Sequence, residues 1–443
     1  MHTRSTRAFG RPLLLMTLTL AVTFPSSLLS GAQPSPEGPL DVEACVRIAL
    51  DKSPLYRAAQ EGVVAAREAV GISRSAYYPE VGLDARYRLF DTHAFLPQGL
   101  TAPSTTLGAT NDWSAGLKAS WTLFDSGLRR AEVGVATAGQ AATEEDATRV
   151  RQDVVLAVQE AYYNLLAAQA AGEAVEARVV RSRDHARLAQ ARKAAGASPQ
   201  AEVLRARVEV ADAELGLVRA EGNAQIARGA LSMAMGLPVD LDVAIKGDEP
   251  SPGPEPPAVA ASLERAREQR PEVKAFRQKV AAASSAVAGA KALFGPRLRA
   301  EGAFGWRDDQ FLPVDKDWSI GLAVQIPVFN GFASTHRINK AVSEAASKEL
   351  ELAQLQARIA LEVWTAHARL TEARQAVTQA DELRKEAVET LRFARARYEA
   401  GASSITDLLD SEATLTQAES GFVQSVLGLQ LAGARLRWAE GDL

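Results

Sequence analysis

The sequence has little of what several common classes of protein require. It contains a single cysteine, Cys45, so no disulfide can form within the chain. Because Cys45 lies in a predicted amphipathic helix, we expect a buried helix-face side chain rather than an acylated N-terminus. Aromatic residues make up only 6% of the chain and the net charge is −4. Since this balance provides no basic face, the sequence predicts no nucleic-acid partner.

Recognisable catalytic motifs are also missing. The sequence has no phosphate-binding glycine loop followed by a lysine, no Gly-x-Ser-x-Gly elbow and no Cys–His nucleophile pair. No two of its histidines have a spacing typical of a metal site. We therefore predict that the protein is not an enzyme and has no catalytic residues, no metal site and no cofactor. The histidines are His2, His93, His185, His336 and His367.

Long hydrophobic runs are scarce as well. Residues 13–22 are mostly apolar, follow Arg4, Arg7 and Arg11, and precede the small residues 30–32. This pattern is typical of a signal peptide, which we predict over residues 1–32. The run is shorter than the ~20 apolar residues of a transmembrane helix, and no later segment reaches that length. A form of the chain that spans a membrane would therefore need a closed β-barrel.

The most informative feature that is present is an internal duplication. Ala195-Gly196-Ala197-Ser198 recurs 205 residues later as Ala400-Gly401-Ala402-Ser403. Nearer to the start of each repeat the offset is 217, which separates Pro54 from Pro271. The pattern indicates one supersecondary plan that is used twice.

The duplication also predicts the domain organisation. The first structural repeat is expected over residues 33–247 and the second over residues 258–443. Residues 248–257 are rich in proline and are predicted to form an extended linker. The difference of 12 between the two offsets predicts a longer loop in the first repeat, over residues 90–112.

Each repeat contains two segments in which apolar residues occupy alternate positions. Over about ten residues this period is typical of transmembrane barrel strands, although a soluble strand with one buried face gives the same pattern. Four strands cannot close alone, since single-chain bacterial barrels begin at about eight, whereas three copies would supply twelve. Trp113 and Trp318 suit an aromatic girdle. The apolar faces are Val81, Leu83, Ala85, Tyr87, Leu89; Trp113, Ala115, Leu117, Ala119, Trp121, Leu123; Leu298, Ala300, Phe304, Trp306; and Trp318, Ile320, Leu322, Val324, Ile326, Val328.

Two proline-free segments, residues 127–194 and 331–400, are rich in helix-forming residues. A helix of about 70 residues is a rod of roughly 105 Å, far beyond the ordinary length in soluble proteins. Shorter helices are predicted over residues 41–76 and 200–235, and two of them end to end would match one rod. In the second rod one apolar stripe recurs with a period near 3.5, which indicates a coiled-coil seam. The stripe is Leu352, Leu355, Ile359, Val363, Ala366, Leu370, Ala373, Val377, Ala380, Ala387, Leu391, Ala394 and Tyr398.

The segment Arg397-Tyr398-Glu399-Ala400-Gly401-Ala402-Ser403-Ser404-Ile405-Thr406-Asp407-Leu408-Leu409-Asp410 resembles the second hairpin tip of the TolC family of outer-membrane efflux proteins. Leu123-Phe124-Asp125-Ser126-Gly127 and Val328-Phe329-Asn330-Gly331 are similar to the family's strand-to-helix junctions, with Phe332 where a second glycine is common. The resemblance covers essentially the whole mature chain. It implies an α-dominated homotrimer with a twelve-stranded β-barrel in outer-membrane lipid and a coiled-coil tunnel in the periplasm. It also implies a periplasmic adaptor and an inner-membrane transporter as partners.

Two groups of candidate functional residues follow from this resemblance. The hairpin tips are candidates for adaptor contact, although a plain helix reversal at glycine is the alternative. Asp407 and Asp410 share one helix face and, with Tyr398, are the candidate channel gate. In a trimer six carboxylates would converge into a ring that binds cations, whereas solvated helix-start acids are the alternative. The tip candidates are Gly196, Ala197, Ser198, Gly401, Ala402 and Ser403.

The resemblance implies that the protein is the exit duct of a tripartite efflux pump. Its substrates would be small molecules such as drugs, other toxic compounds or metal ions. A type I protein-secretion channel and a periplasmic coiled-coil scaffold are the alternatives, and the four alternating strands argue against the scaffold. The loops over residues 90–112 and 307–317 are expected at the cell exterior, because each joins two strands on the side away from the helices.

Overall fold

The computed structural model describes residues 38–93, 106–247 and 257–443. The predicted signal peptide and nearly all of the predicted linker lie outside these residues. Within them the chain forms eight helices and four strands. The helices are α1 (Val42–Lys52), α2 (Pro54–Ser75), α3 (Leu128–Ala194), α4 (Gln200–Ala234), α5 (Val259–Gln269), α6 (Pro271–Ala292), α7 (Ala333–Glu399) and α8 (Ile405–Glu440). The strands are β1 (Glu80–His93), β2 (Thr106–Phe124), β3 (Arg297–Asp308) and β4 (Lys316–Gln325).

The first helix of each repeat is broken at one point. A continuous helix over residues 41–76 was expected, and this prediction is wrong, because α1 ends at Lys52 and α2 begins at Pro54. Ser53 and Arg270, the residues before Pro54 and Pro271, have ψ angles of 118° and 120°. A residue before proline is disfavoured in the helical region, whereas proline is well accepted as the first residue of the next helix.

The two long helices are confirmed, since α3 and α7 each contain 67 residues. At 1.5 Å per residue each extends for about 100 Å. The predicted stripe of α7 is the buried side of this helix, where Leu355, Ile359, Val363 and Leu370 are all less than one-tenth exposed. No helix in the described ranges has the length and hydrophobicity needed to cross a membrane.

The shorter helices are stacked end to end along the long ones, as expected. Gly236, just after α4, has φ +74°, and a Cβ atom there would lie 2.9 Å from the carbonyl carbon of Lys52 at the end of α1. Gly441, after α8, has φ +84°, and its Cβ would lie 2.9 Å from the amide nitrogen of Arg270. Glycine is needed at both junctions because the backbones touch there and the φ angle is positive.

In each repeat, a side chain on the long helix contacts a backbone carbonyl oxygen just before the first helix of that repeat. The Tyr162 hydroxyl donates a hydrogen bond to the Lys246 carbonyl oxygen at 2.5 Å and lies 3.4 Å from that of Leu40. His367, 205 residues after Tyr162, places Nε2 3.0 Å from the carbonyl oxygen of Pro257, which is 217 residues after Leu40. The duplication seen in the sequence therefore extends to single tertiary contacts.

The helices pack in a fixed lateral order. In the half of the protein near the hairpin tips the order is α4, α3, α8, α7, and in the half near the sheet it is α2, α3, α6, α7. The first repeat therefore packs against the second through α3. The lateral edges of the protomer are α2 and α4 on one side and α7 on the other.

The four strands form one antiparallel sheet in the order β1-β2-β3-β4. Its register places Leu83, Leu117, Phe304 and Trp318 side by side. The alternating apolar residues consequently share one face as far as the irregularity of β2 at residues 122–124 and the end of β4, and side chains on that face reach 84% exposure at Ile320.

Three predictions about the strands need correction. β1 continues to His93 and β2 begins at Thr106, so both ends of the predicted loop over residues 90–112 are strand, and residues 94–105 lie outside the described ranges. Both ends of the predicted loop over residues 307–317 are strand as well, because β3 ends at Asp308 and β4 begins at Lys316. β4 ends at Gln325, whereas the alternation predicted a strand through Val328. Pro327 cannot donate a ladder hydrogen bond, and β4 has a neighbour on one side only, so its end is held weakly.

Candidate channel gate, hairpin tips and amphipathic sheet

Both hairpins reverse direction through the same turn. Gly196 has φ +71° and Gly401 has φ +75°, in the left-handed region that glycine adopts without strain. The amide of Ala197 donates to the Arg192 carbonyl at 2.9 Å, and that of Ala402 to the Arg397 carbonyl at 2.8 Å. All four glycine and alanine tip residues are exposed, while Ser198 and Ser403 are half-buried. The tips are thus free for contact in a single chain, and adaptor binding stays a prediction.

The two acidic gate candidates are both exposed at the start of α8. Asp407 is also part of a capping box, in which its carboxylate accepts from the Ser404 amide at 3.2 Å and its own amide donates to the Ser404 hydroxyl at 3.3 Å. Such reciprocal bonds satisfy two amides at the helix start. Asp407 therefore has a structural role that Asp410 does not share.

Tyr398 lies apart from the two aspartates, in the interior. It is 2% exposed and packs in one cluster with Val203, Ile405 and Leu408. The Arg192 guanidinium lies 4.7 Å from the centre of its ring and donates to its carbonyl oxygen at 2.9 Å. Among the described residues its hydroxyl has no hydrogen-bond partner, and burial raises the pKa of Tyr398. Tyr398 thus holds the second hairpin to the first by packing and its backbone.

Other residues that join the hairpins were not predicted from the sequence. His185 on α3 places Nε2 2.6 Å from Glu412 Oε1 on α8, and both side chains are buried. Arg181 donates to the hydroxyl of Thr416 at 3.2 Å. One further link joins Arg205 to Thr406. The duplication does not reveal the His185–Glu412 pair, because the equivalent residues, 205 positions away in the other repeat, are Thr390 and Arg207.

The second face of the sheet carries charged side chains. Asp112 on β2 is 5% exposed and lies between two arginines, 2.8 Å from Arg88 on β1 and 2.7 Å from Arg307 on β3. Lys118 pairs with Asp84 at 3.2 Å nearer to the helices. The sheet therefore has one apolar face and one charged face, as a barrel wall between lipid and water requires.

Aromatic residues occur near both ends of the apolar face. Tyr87, Trp113 and Phe311 form one group, with ring centres 4.3 and 5.0 Å apart. At the helix side the Trp121 indole donates to the Tyr77 carbonyl at 2.8 Å. Trp113 and Trp121 are eight residues apart on β2, or about 26 Å at ~3.3 Å per residue. Barrel strands are tilted by ~35–45°, so this separation spans about 18–21 Å of membrane depth, which is most of the ~25 Å apolar band of outer-membrane barrels. Of the two predicted girdle residues, Trp113 lies in the first group, whereas the register places Trp318 beside Phe304 and Leu117, between the two groups.

The described part of the chain has no cluster of three or more His, Cys, Asp or Glu side chains that could hold a metal ion.

The protomer consists of an amphipathic sheet joined to a set of long helices, and both of its lateral edges are open. This arrangement defines a channel-forming protomer of the barrel-and-helical-tunnel class. The model of the Outer membrane efflux protein family matches residues 45–237 and 262–441. The chain belongs to this family.

Individual relatives are similar over most of their length. Protein CyaE of Bordetella pertussis is 28% identical over 413 residues, which cover 90% of this chain and 83% of that protein. A membrane protein from Pseudomonas aeruginosa has the same fold, with a TM-score of 0.79, 22% identity, and coverage of 93% of this chain and all of the other. The CmeC outer membrane channel of Campylobacter jejuni has a TM-score of 0.75 at 20% identity and covers 90% of this chain and 85% of its own.

Proposed function

We propose that three copies of this chain form a twelve-stranded barrel in the outer membrane, continued by a twelve-helix tunnel in the periplasm. The assembly is the exit duct of a tripartite pump that exports small molecules. The observation that carries this proposal is the continuous apolar face of the sheet, on which Leu83, Ile320 and Leu322 are 70–84% exposed. An apolar face of this extent on a single chain marks a contact with lipid or protein.

Closure into a ring is supported by both lateral edges. β1 and β4 each have a free edge, which outer-membrane barrels satisfy by pairing with another strand. The helical edges expose apolar side chains as well, and joining one edge to the opposite edge of the next copy makes a head-to-tail ring. These side chains are Leu204, Val208, Leu215, Val218, Ile226 and Met233 on α4, and Leu350, Leu361, Trp364, Leu383 and Phe393 on α7.

The proposed gate lies where the tunnel is farthest from the sheet. In a trimer the exposed Asp407 and Asp410 of each chain form a ring of six carboxylates at the periplasmic mouth. Such a ring attracts cations and binds multivalent ones. Tyr398 acts as the strut that keeps α7 and α8 packed against the first hairpin, and the tips at Gly196 and Gly401 contact the periplasmic adaptor.

The pump assignment is tested by identifying the partners. Chemical cross-linking in intact cells, followed by purification of the tagged chain and mass spectrometry, should recover a periplasmic adaptor and an inner-membrane transporter of small molecules. Deleting the gene should then sensitise the cells to that transporter's substrates. Recovery of an ATP-driven protein exporter would instead assign the chain to type I secretion. A detergent-free, soluble monomer would exclude both channel functions in favour of a scaffold.

A further inference from the structure

The residue before α7 has an unusual backbone conformation. Phe332 has φ +65° and ψ 5°, in the left-handed region. In the first repeat the equivalent residue, 205 positions earlier, is Gly127, with φ +93°. A side chain in this conformation brings Cβ too close to the following carbonyl oxygen, and glycine avoids the clash. The residues just before Gly127 and Phe332, which are Ser126 and Gly331, are left-handed as well, with φ +57° and +65°. Both repeats therefore make the same turn, but only the second has a bulky side chain at its second position.

Packing within the chain does not account for this bulky side chain. The Phe332 ring is 67% exposed and touches Phe329, itself 76% exposed, edge to face with centres 5.6 Å apart. Val328 beside them is 93% exposed. Strained residues persist where the surrounding structure or a function demands them. Because the first repeat makes the same turn without an aromatic ring, we infer that the exposed ring of Phe332 contacts something outside the protomer.

The surroundings of the pair indicate what this contact is. The segment follows directly on the apolar face of β4, where Leu322 and Val324 are 70% and 67% exposed. In the next two helical turns, residues 333–340, the charged residues are Arg337 and Lys340 and none is acidic. A helix start ordinarily favours acidic residues. Exposed aromatic rings followed by exposed cations match the boundary between acyl chains and phosphate groups.

We propose that Phe329 and Phe332 insert into the acyl–headgroup boundary of the phospholipid leaflet on the periplasmic side and anchor the junction between barrel and tunnel. Arg337 and Lys340 then lie at the level of the phosphates. The proposal rests on the proposed function, because it requires the sheet to be in a membrane. It explains why the turn with a bulky aromatic residue is the one next to the exposed edge strand.

Spin labelling tests the anchor directly. The native Cys45 is fully buried, and burial raises the pKa of its thiol to about 11, so a nitroxide reagent will label an introduced cysteine selectively. Three variants are compared in phospholipid vesicles: Phe332→Cys, Leu322→Cys in the sheet, and Glu349→Cys farther along α7. Collision rates with oxygen report lipid, and those with a water-soluble nickel chelate report water. The wild-type protein, treated alike, gives the background.

We expect the ratio of the oxygen collision rate to the nickel-chelate collision rate to be highest for Leu322→Cys, intermediate for Phe332→Cys and lowest for Glu349→Cys. The ratio should differ at least threefold between positions 332 and 349. A ratio at 332 equal to that at 349, with position 322 still in lipid, would overturn the anchor and leave the barrel intact. A water-like ratio at position 322 as well would overturn the proposed function itself.

Discussion

At the scale of single residues, the structure separates the two gate candidates by their local bonds. Asp407 closes the capping box with Ser404, whereas Asp410 is one turn farther on and takes no part in it. Removing the Asp407 carboxylate therefore changes the helix start as well as the charge of the proposed ring. An asparagine there removes the charge and keeps an oxygen that can accept the Ser404 amide hydrogen bond.

The double change Asp407→Asn with Asp410→Asn should weaken cation selectivity and block by trivalent cations in planar-bilayer recordings, with assembly unaffected. Asp407→Ala should in addition destabilise the helix start by about 1 kcal/mol, the usual cost of a lost cap. Glu382 is an exposed acidic residue on α7, outside the proposed ring. Glu382→Gln is therefore the control, and it should leave cation selectivity unchanged. Full selectivity and block in the double asparagine variant would remove the ring from the mechanism.

The left-handed backbone of Phe332 gives a second prediction at this scale. Phe332→Ala and Phe332→Gly both remove the ring, but only glycine relieves the strain. The glycine variant should therefore be more stable than the alanine variant by about 1 kcal/mol, measured as the difference in unfolding free energy or melting temperature in detergent. Equal stability of the two variants would show that the conformation carries no strain.

At the scale of elements, the α5–α6 break is held by a buried ion network that the α1–α2 break lacks. Arg270 is 2% exposed and contacts Glu272 at 2.7 Å, Glu362 at 3.0 Å and the face of Trp438 at 4.6 Å. Burial alone would raise the pKa of Glu272, but the hydrogen bonds and charge of Arg270 outweigh burial and lower it. At the first break the corresponding residue is Ser53, which caps α2.

Arg270→Ala should therefore cost about 3 kcal/mol, because it removes both hydrogen bonds to buried Glu272 and leaves that carboxylate only the longer contact with Arg149, at 3.5 Å. Ser53→Ala, the matched change in the first repeat, should cost only about 1 kcal/mol.

The same ion network predicts that stability depends on pH. Because the pKa of Glu272 is lower in the folded state, the ionised carboxylate stabilises the fold above the ordinary pKa of 4.5, and this stabilisation is lost as the pH falls below that value. Thermal unfolding from pH 7 to pH 3 checks this, and Glu272→Gln should reduce the acid sensitivity. A variant with unchanged acid sensitivity would show that other groups cause it.

At the scale of the whole molecule, the lateral order of the helices determines which apolar residues lie at a protomer edge. Ile226 on α4 is 73% exposed and lies on an edge helix, whereas Val180, 56% exposed, lies on α3, which has neighbours on both sides. Both are exposed aliphatic side chains on helices. Only the first is expected in the interface between copies.

Ile226→Arg should therefore prevent trimer formation, because a charge would be buried in an apolar seam. Val180→Arg should leave the trimer intact. Native mass spectrometry in detergent distinguishes the two results, with circular dichroism as the check that each variant is helical. Trimers formed equally well by both variants would contradict the proposed ring order.

Periodic features of the fold could be predicted because each is written in consecutive residues. The alternation along β2 and the period of 3.5 along α7 require only a local backbone and one apolar environment. The same local reasoning was wrong for residues 41–76, where Pro54 outweighed the helical pattern. It was also wrong at the end of β4, because whether Val328 pairs depends on a neighbouring strand.

The sequence by itself determined the duplication, the long helices, the amphipathic strands and the glycine turns at the tips, since these follow from residue order and local conformational preference. Only the tertiary structure decided which helices meet across the two repeats. His185 and Glu412 are 227 residues apart, and they pair because α3 lies beside α8. The physical reason is that a contact between distant residues depends on how whole elements pack, which no local period specifies.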